Sequence, residues 1–254
     1  MKKRVLSIFC ILALCLSLLP TVALANEPTG NWTDVVTSPP SGYTVDDSGN
    51  VTISSAEGLA WLAVLVGGLN GQPADNFSGK TVTLAADIDL SAHYWTPIGT
   101  STGKYFEGTF DGDGHTISNL TINTNASYVG LFGATSGATL KNVTLDNPQV
   151  QNNATGASNT GALVGYMVGS GTVEYCAVTN GSVSSDGQCV GGLIGYFHSG
   201  TVQYCYNLET EVSSSYSTQT YVNGVAGRTG TGNYLRSSFS YVSNQKELKA
   251  SNNA

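Results

Sequence analysis

Charge is scarce in this 254-residue chain, in which Lys, Arg, Asp and Glu together make up 11% of the residues. Basic residues are the scarcest of these: ten Lys and Arg stand against 17 Asp and Glu, and three of the ten lie at positions 2–4. An acidic chain without a basic cluster is a poor match for nucleic acid, so we expect no nucleic-acid partner. Gly, Ser, Thr and Asn fill the polar positions instead, which is typical of β-structure with many turns.

Long apolar runs are also lacking, apart from one at the start of the chain. Residues 2–4 are basic, residues 5–19 are apolar, and Pro20 precedes the small-residue pattern Ala23-Leu24-Ala25. The apolar run is shorter than the roughly 20 residues that span a bilayer, and the whole pattern is that of a Sec signal peptide. We expect cleavage after Ala25, a secreted or cell-surface location, and no membrane association once residues 1–25 are removed.

Cysteine is rare as well, with five in the chain and three after the expected cleavage site. An odd number of cysteines in a secreted chain argues against a disulfide framework. Cys176 and Cys205 fall at equivalent positions of a repeat, and we expect them to be buried free thiols. The sequence leaves the redox state of Cys189 open.

Glycine, by contrast, is abundant, and it recurs with a period of about 30 residues. Four motifs of the type Gly-Leu-Phe-Gly end at Gly133, Gly165, Gly195 and Gly227, with spacings of 32, 30 and 32 residues. A second series of alternating apolar residues, at 117–122, 140–145, 173–178 and 202–205, interleaves with the first. Two series with one period indicate a repeating structural unit.

Each unit contains two or three short β-type runs and is too short to bury its apolar side alone. Such units become stable by stacking on copies of themselves. The sequence therefore predicts an all-β protein, a right-handed parallel β-helix in which equivalent residues lie above one another. Two inward columns are expected, one of Leu120, Val143, Cys176 and Cys205 and one of Leu131, Leu163, Leu193 and Val225.

These repeats resemble the GLUG motif of bacterial secreted and surface proteins. The segments 95–99 and 106–122 resemble the coil that precedes the repeats in that family, and the likeness covers residues 81–241. The resemblance implies a parallel β-helix from a surface protein, such as an adhesin-like protein or the non-catalytic part of an IgA-cleaving metalloprotease. It implies binding or scaffolding without catalysis. The sequence contains no zinc-ligand spacing or nucleotide-binding loop, and we expect no cofactor.

A β-helix exposes unpaired strand edges at its ends, and these need a cover. The pattern Ser54-Ser-Ala-Glu57 resembles a capping box, and an apolar run follows it. We therefore expect a short N-terminal capping helix over about residues 55–69. The predicted organisation is a signal peptide at 1–25, an N-terminal segment at 26–79, the β-helix at 80–242 and a C-terminal tail at 243–254.

The sequence contains one concentration of ionisable groups. Because parallel β-helices include polysaccharide lyases and glycosidases, this concentration raises catalysis as an alternative. A carbohydrate-active enzyme on a pectate-lyase-like β-helix is therefore the alternative function. The same residues also suit turns and half-exposed strands, and we predict no catalytic, cofactor-binding or metal-ligating residue among them. The residues concerned are Asp87, Asp89, His93, Asp111, Asp113 and His115, with Lys80 and Lys104 nearby.

Tyrosines occupy repeated positions that could form ladders on the outside of the β-helix. Tyr166 and Tyr196 follow closing glycines, and Tyr175 and Tyr204 precede the aligned cysteines. Such ladders can stack on sugar rings or on each other. The sequence favours polar loops at 149–159 and 213–221 as the place for a ligand, with an extracellular glycan or a host or matrix protein as partner. It does not indicate an oligomeric state.

Overall fold

The computed structural model describes residues 27–218, 220–231 and 233–242. The expected signal peptide and the expected tail at 243–254 lie outside these residues. The described chain is almost entirely β-structure and forms a parallel β-helix of about six turns, which confirms the predicted fold class. Two helices precede most of the strands, α1 at Trp32–Val35 and α2 at Ala56–Gly67. Neither of them is long and apolar enough to cross a membrane.

Within the described residues the strands stack into four sheets, and the pairings between these strands are parallel except for the antiparallel pair β1–β2. Sheet 1 contains β1 Tyr43–Val45, β2 Val51–Ile53, β3 Thr81–Leu84, β5 Thr109–Asp111, β10 Thr139–Lys141, β14 Thr172–Glu174, β18 Thr201–Gln203 and β23 Tyr234–Arg236. Sheet 2 contains β4 Ile88–Asp89, β6 Thr116–Ser118, β11 Thr144–Asp146, β15 Ala177–Thr179, β19 Tyr206–Leu208 and β24 Phe239–Tyr241.

The other two sheets complete each coil. Sheet 3 contains β7 Thr121–Thr124, β8 Tyr128–Val129, β12 Gln149–Gly161, β16 Ser182–Gly191, β20 Glu211–Ser214 and β21 Tyr221–Asn223. Sheet 4 contains β9 Phe132–Ser136, β13 Val164–Val168, β17 Ile194–Phe197 and β22 Ala226–Thr229. One coil therefore has four sides, one in each sheet, as in β10–β13. The next coil begins when the chain returns to sheet 1 at β14.

Residues in the left-handed conformation make two corners of each coil. The corner between sheets 1 and 2 is formed by Asn142, Tyr175, Tyr204 and Ser237, with φ of 54°, 53°, 54° and 45°. The corner between sheets 2 and 3 is formed by Asn119, Asn147, Asn180 and Glu209, with φ of 57°, 53°, 56° and 55°. Asn tolerates this conformation better than other non-glycine residues, which explains why Asn recurs at the corners.

The repeated glycines lie where sheets 3 and 4 meet. A Cβ atom added at Gly165 would lie 2.4 Å from the Val129 nitrogen, and one at Gly195 would lie 2.4 Å from the Thr160 nitrogen. The two backbones thus pack against each other without side chains between them. Because each coil needs a glycine at this close contact, glycine recurs once per coil, about every 30 residues.

The predicted column of Leu131, Leu163, Leu193 and Val225 is confirmed. Successive backbone hydrogen bonds connect these positions from coil to coil, and all four side chains are buried. They belong to one continuous hydrophobic core, which also includes the buried face of α2.

The other predicted column is wrong at one position. Val143, Cys176 and Cys205 do lie above one another, and Ser238 follows them in the next coil. Leu120 is buried as well, but it lies one corner further along the coil, where Pro148 is its successor. The error has a simple cause: both corners place an apolar residue directly after a left-handed Asn, so their sequences look alike.

The predicted capping helix lies at Ala56–Gly67, one residue inside the expected start. Ser55, not Ser54, is its N-cap, and the Ser55 hydroxyl accepts a hydrogen bond from the Gly58 amide at 3.2 Å. Nine of its twelve residues are buried. The helix therefore contributes to the core on nearly all sides.

Candidate binding surfaces

The acidic residues singled out in the sequence are held in separate polar contacts. Asp87 accepts hydrogen bonds from the Thr116 amide at 2.9 Å and is 3.2 Å from Nδ1 of His115. These two contacts hold the pKa of Asp87 below its usual value, the Thr116 bond being the larger cause. Asp89 accepts a hydrogen bond from Asn119, and this bond lowers the pKa of Asp89.

Asp111 has the most complete set of partners. Its carboxylate lies 2.8 Å from Nζ of Lys141 and accepts hydrogen bonds from the Asn142 side chain at 3.0 Å and the Asp113 amide at 2.9 Å. Partial burial raises the pKa of Asp111, but these hydrogen bonds outweigh the burial and leave the pKa below its usual value. Lys141 is a residue of β10 in register with Asp111, and the sequence analysis missed it because it lies thirty positions away.

The remaining candidates have structural partners too. His93 contacts the Thr29 carbonyl oxygen and meets the Trp32 ring edge-on, with 4.8 Å between the ring centroids. Lys80 pairs with Asp75 at 2.6 Å, and Lys104 donates to the Gly67 carbonyl oxygen. In the described chain no three His, Cys, Asp or Glu residues are close enough together to hold a metal ion.

A continuous row of side chains, all aromatic except one arginine, follows the junction of sheets 3 and 4. We call it the tyrosine row; its members are Tyr128, Tyr166, Tyr196, His198, Tyr221 and Arg228. The rings of Tyr128 and Tyr166 are stacked with centroids 5.2 Å apart, and those of Tyr166 and Tyr196 are 5.5 Å apart. Because Tyr166, Tyr196 and Arg228 are in register on adjacent strands, the row continues directly from ring to guanidinium.

The rings of Tyr128, Tyr166 and Tyr196 follow one another along the row. Burial raises the pKa of Tyr166, and the neighbouring phenols of Tyr105, Tyr128 and Tyr196 add to that rise. Within the described part of the chain, no hydrogen bond to the protein engages the hydroxyls of Tyr128, Tyr166 or Tyr196. These three donors and acceptors are therefore available to solvent or to a ligand, since the side chains are only half-buried.

A second tyrosine pair lies at the corner between sheets 1 and 2. Tyr175 and Tyr204 are stacked with centroids 5.1 Å apart and an interplanar angle of 15°. They are 56% and 48% exposed, and both have the left-handed backbone that is unfavourable for a bulky residue. The stack offsets part of that strain, because such ring pairs contribute about 0.5–1.5 kcal/mol.

The expected ligand loops are only partly loops. Residues 149–159 belong to the long strand β12, where Val150 and Asn152 are buried and Asn152 donates to Thr160 at 2.9 Å. The sequence prediction failed here because the polar side chains form a buried hydrogen-bonded layer. Residues 213–221 include the end of β20 and the start of β21, with a connection between them.

A shallow cavity of about 200 Å³ lies on the outer face of sheet 3 beside Tyr94. Glu27, Gln149, Gln151 and Ser182 are among its lining residues. Small-molecule sites usually enclose roughly 300–1,000 Å³ and are lined mostly by apolar groups. This cavity is smaller and polar, so it does not resemble such a site.

The three cysteines of the described chain are free and buried. This confirms the expectation for Cys176 and Cys205, whose sulfur atoms lie 3.3 Å and 3.2 Å from the carbonyl oxygens of Glu174 and Gln203. Burial raises the pKa of Cys176 and keeps it protonated. Burial also raises the pKa of Cys189, although a hydrogen bond and the positive charge of Arg228 oppose that rise.

Comparison with known proteins gives two partial relatives. The chain is 40% identical over 161 residues to Halomucin from Haloquadratum walsbyi, in a match that covers 58% of the chain and 2% of Halomucin. It is 32% identical over 113 residues to a protein of Evansella cellulosilytica named "Putative Gly-rich membrane protein", covering 41% of the chain and 12% of that protein. The chain thus spans only a small part of either relative. No protein-family model matches it.

One solved structure shares the architecture. It is a crystal structure from Bacteroides ovatus, described as a "putative immunoglobulin A1 protease". The two structures superimpose with a TM-score of 0.60 and 22% sequence identity, over 78% of this chain and 58% of the other. At this level of identity the likeness supports the fold alone.

Proposed function

We propose that the chain is a GLUG-type β-helix module of a secreted or cell-surface protein, and that it binds an extracellular glycan or a host or matrix protein without catalysing a reaction. The surface location is supported by the signal-peptide pattern at residues 1–25 and by the names of the relatives, Halomucin and a membrane protein. The predicted adhesin-like or scaffolding role follows from this location and from the repeat architecture.

The tyrosine row is the observation that carries the binding proposal. It places hydroxyl groups without protein partners side by side on adjacent coils, next to a guanidinium group. Aromatic residues and Arg are enriched at the centres of binding surfaces, because they combine a large contact area with hydrogen-bonding groups. A row of this kind offers many shallow contacts along the axis of the β-helix.

Catalysis is not part of the proposal, because the candidate carboxylates have fixed partners. Glycoside hydrolysis needs two carboxyl groups on either side of the scissile bond. Asp87 and Asp111 instead contact His115 and Lys141, respectively. Release of reducing ends or unsaturated products from polysaccharides, lost in Asp111→Asn or Asp113→Asn, would contradict this part of the proposal.

Binding can be tested with the purified chain from Asn26 onward on arrays of glycans and matrix proteins. We expect one or more specific ligands, and we expect Tyr166→Phe with Tyr196→Phe to weaken their binding. This double variant keeps both rings and removes only the hydroxyl groups. The matched control is Tyr175→Phe with Tyr204→Phe, which removes the same two groups from the corner stack and should leave binding unchanged.

Two results would refute the proposed site or function. Equal weakening by both double variants would show that the tyrosine row has no special role. Absence of any ligand on both kinds of array would argue against a binding module as such. Mass spectrometry of the exported protein tests the location separately, since it should begin at Asn26.

A further inference from the structure

Arg228 is an unusual cation in this acidic chain. It is half-buried beside the tyrosine row, and in the described residues no carboxylate lies within ion-pairing distance of it. A partly buried charge without a counter-ion loses hydration and gains no ion pair in return. A side chain in this situation is suited to receive an anion from outside the protein.

Two tyrosine rings lie against the Arg228 guanidinium. Its Cζ atom lies 4.7 Å from the ring centroid of Tyr196 and 5.1 Å from that of Tyr221. Contact with the two rings constrains the plane of the guanidinium and leaves the N–H groups on its edge for a ligand.

A guanidinium held in this way favours oxyanions that present two acceptor oxygens side by side. Carboxylate and sulfate groups accept two parallel N–H bonds from the edge of an Arg, and such charge-assisted bonds are stronger than neutral ones. Tyr196 and Tyr166 occupy the position of Arg228 in the two preceding coils, so their hydroxyl groups extend the row beyond the guanidinium. A ligand that fits both features carries an acid group and a series of hydroxyl groups.

We propose that Arg228 binds the carboxylate or sulfate group of an acidic glycan, whose sugar hydroxyls hydrogen-bond along the tyrosine row. This inference rests on the proposed function and specifies its ligand class. A protein partner fits less well, because the residues that dominate protein interfaces cluster in well-packed, fully desolvated pockets. The row presents hydroxyl groups on a flank, and the cavity on sheet 3 is shallow and polar.

The experiment compares matched pairs of polymers. Polygalacturonate and its methyl ester differ in free carboxylate, and chondroitin sulfate and unsulfated chondroitin differ in sulfate. We expect the purified chain to bind at least one charged polymer more tightly than its partner, and the pair that differs identifies the acid group. Arg228→Gln should weaken that binding by roughly tenfold to a hundredfold. Arg228→Lys keeps the charge but loses the planar fork, so its effect should be intermediate.

The matched control is Arg236→Gln. Arg236 also lies over a tyrosine ring, with 4.8 Å from its Cζ to the Tyr234 centroid, and its removal changes the net charge equally. We expect it to change binding by less than about twofold, because an exposed charge in water interacts weakly. Thermal melting of Arg228→Gln shows whether the variant is folded, and Tyr196→Phe supplies a second, milder test of the same site.

The outcomes separate this inference from the proposed function. Equal binding of the charged and uncharged polymers, or equal losses in Arg228→Gln and Arg236→Gln, would overturn the role of Arg228. Binding to a matrix protein but to no polysaccharide would overturn the glycan and leave the binding module intact. No binding to either class would contradict the proposed function itself.

Discussion

The first coils and the last coils of the β-helix share one backbone arrangement but differ in the side chains that occupy their inward positions. One inward column holds Ile117, Leu145 and Val178 in the earlier coils and continues with Asn207 and Ser240 in the last coils. The neighbouring column changes from Val143 through two cysteines to Ser238. Large apolar side chains thus give way to small and polar ones along the axis.

The outer surface changes in the opposite direction. Exposed aromatic side chains are concentrated in the last coils, where Tyr204, Tyr234, Phe239 and Tyr241 are between 45% and 55% exposed. In a stack of coils each unit is stabilised mainly by its neighbours, so core and surface can vary along the axis independently. The difference indicates that the first coils supply most of the stability and that the last coils carry most of the exposed contact area.

The strongest test of this comparison places the same charge at both ends of one column. Val143→Asp should abolish cooperative folding, because it puts an unpaired carboxylate into a fully buried position. Ser238→Asp, in the same column, should be tolerated at a cost of roughly 1 kcal/mol or less, because Ser238 is half-exposed. Circular dichroism melting of both variants measures the difference. A soluble, cooperatively melting Val143→Asp would contradict the assigned core.

A second test exchanges residues between neighbouring coils. Asn207 is fully buried, and in the described chain its Oδ1 atom has no hydrogen-bond partner. Asn207→Val should therefore raise the free energy of unfolding by about 1 kcal/mol, whereas Val178→Asn should lower it by about 1–3 kcal/mol. Denaturant titration measures both values. If Asn207→Val proves destabilising, the hydrogen bond from Asn207 to the Thr210 carbonyl oxygen matters more than the unpaired oxygen.

The smallest expected effect is on the stability of the protein at acidic pH. The pKa of Asp111 is lower in the folded protein than its ordinary value of 3.8, so its contribution to stability is present above that value and is lost as the pH falls through the lowered pKa. Asp111→Asn should reduce the loss of stability below pH 3.8. Melting temperatures of both proteins between neutral pH and acid measure this. Identical pH profiles would mean that the Lys141–Asp111 pair adds nothing.

Much of the fold could be predicted from the sequence, because the glycine period reflects a contact that every coil repeats. The helix α2 was predictable for a similar reason, since its apolar run and its serine cap are local signals. The register of Leu120 was not, because two different corners carry the same Asn-plus-apolar signature. The strand at 149–159 was missed because buried polar side chains such as Asn152 cannot be distinguished from loop residues by composition.

The candidate surface was predictable only in part. Tyr166 and Tyr196 stand after closing glycines, and Arg228 stands at the same position after Gly227, so the repeat itself contained the signal for the third member. Tyr128 and Tyr221 come from sheet 3 and could not be assigned to the row without the fold. The pairing of Asp111 with Lys141 likewise depends on which coils are adjacent.

The parallel stacking of coils has a consequence for a chain under tension. Each coil hydrogen-bonds only to the coils before and after it, so a pull along the axis loads the bonds of one coil at a time, as in a zipper. The last coils, with their polar interior, should detach first. Each coil of 30 to 32 residues that comes loose would lengthen the chain by roughly 100 Å and absorb work while the coils near α2 stay intact.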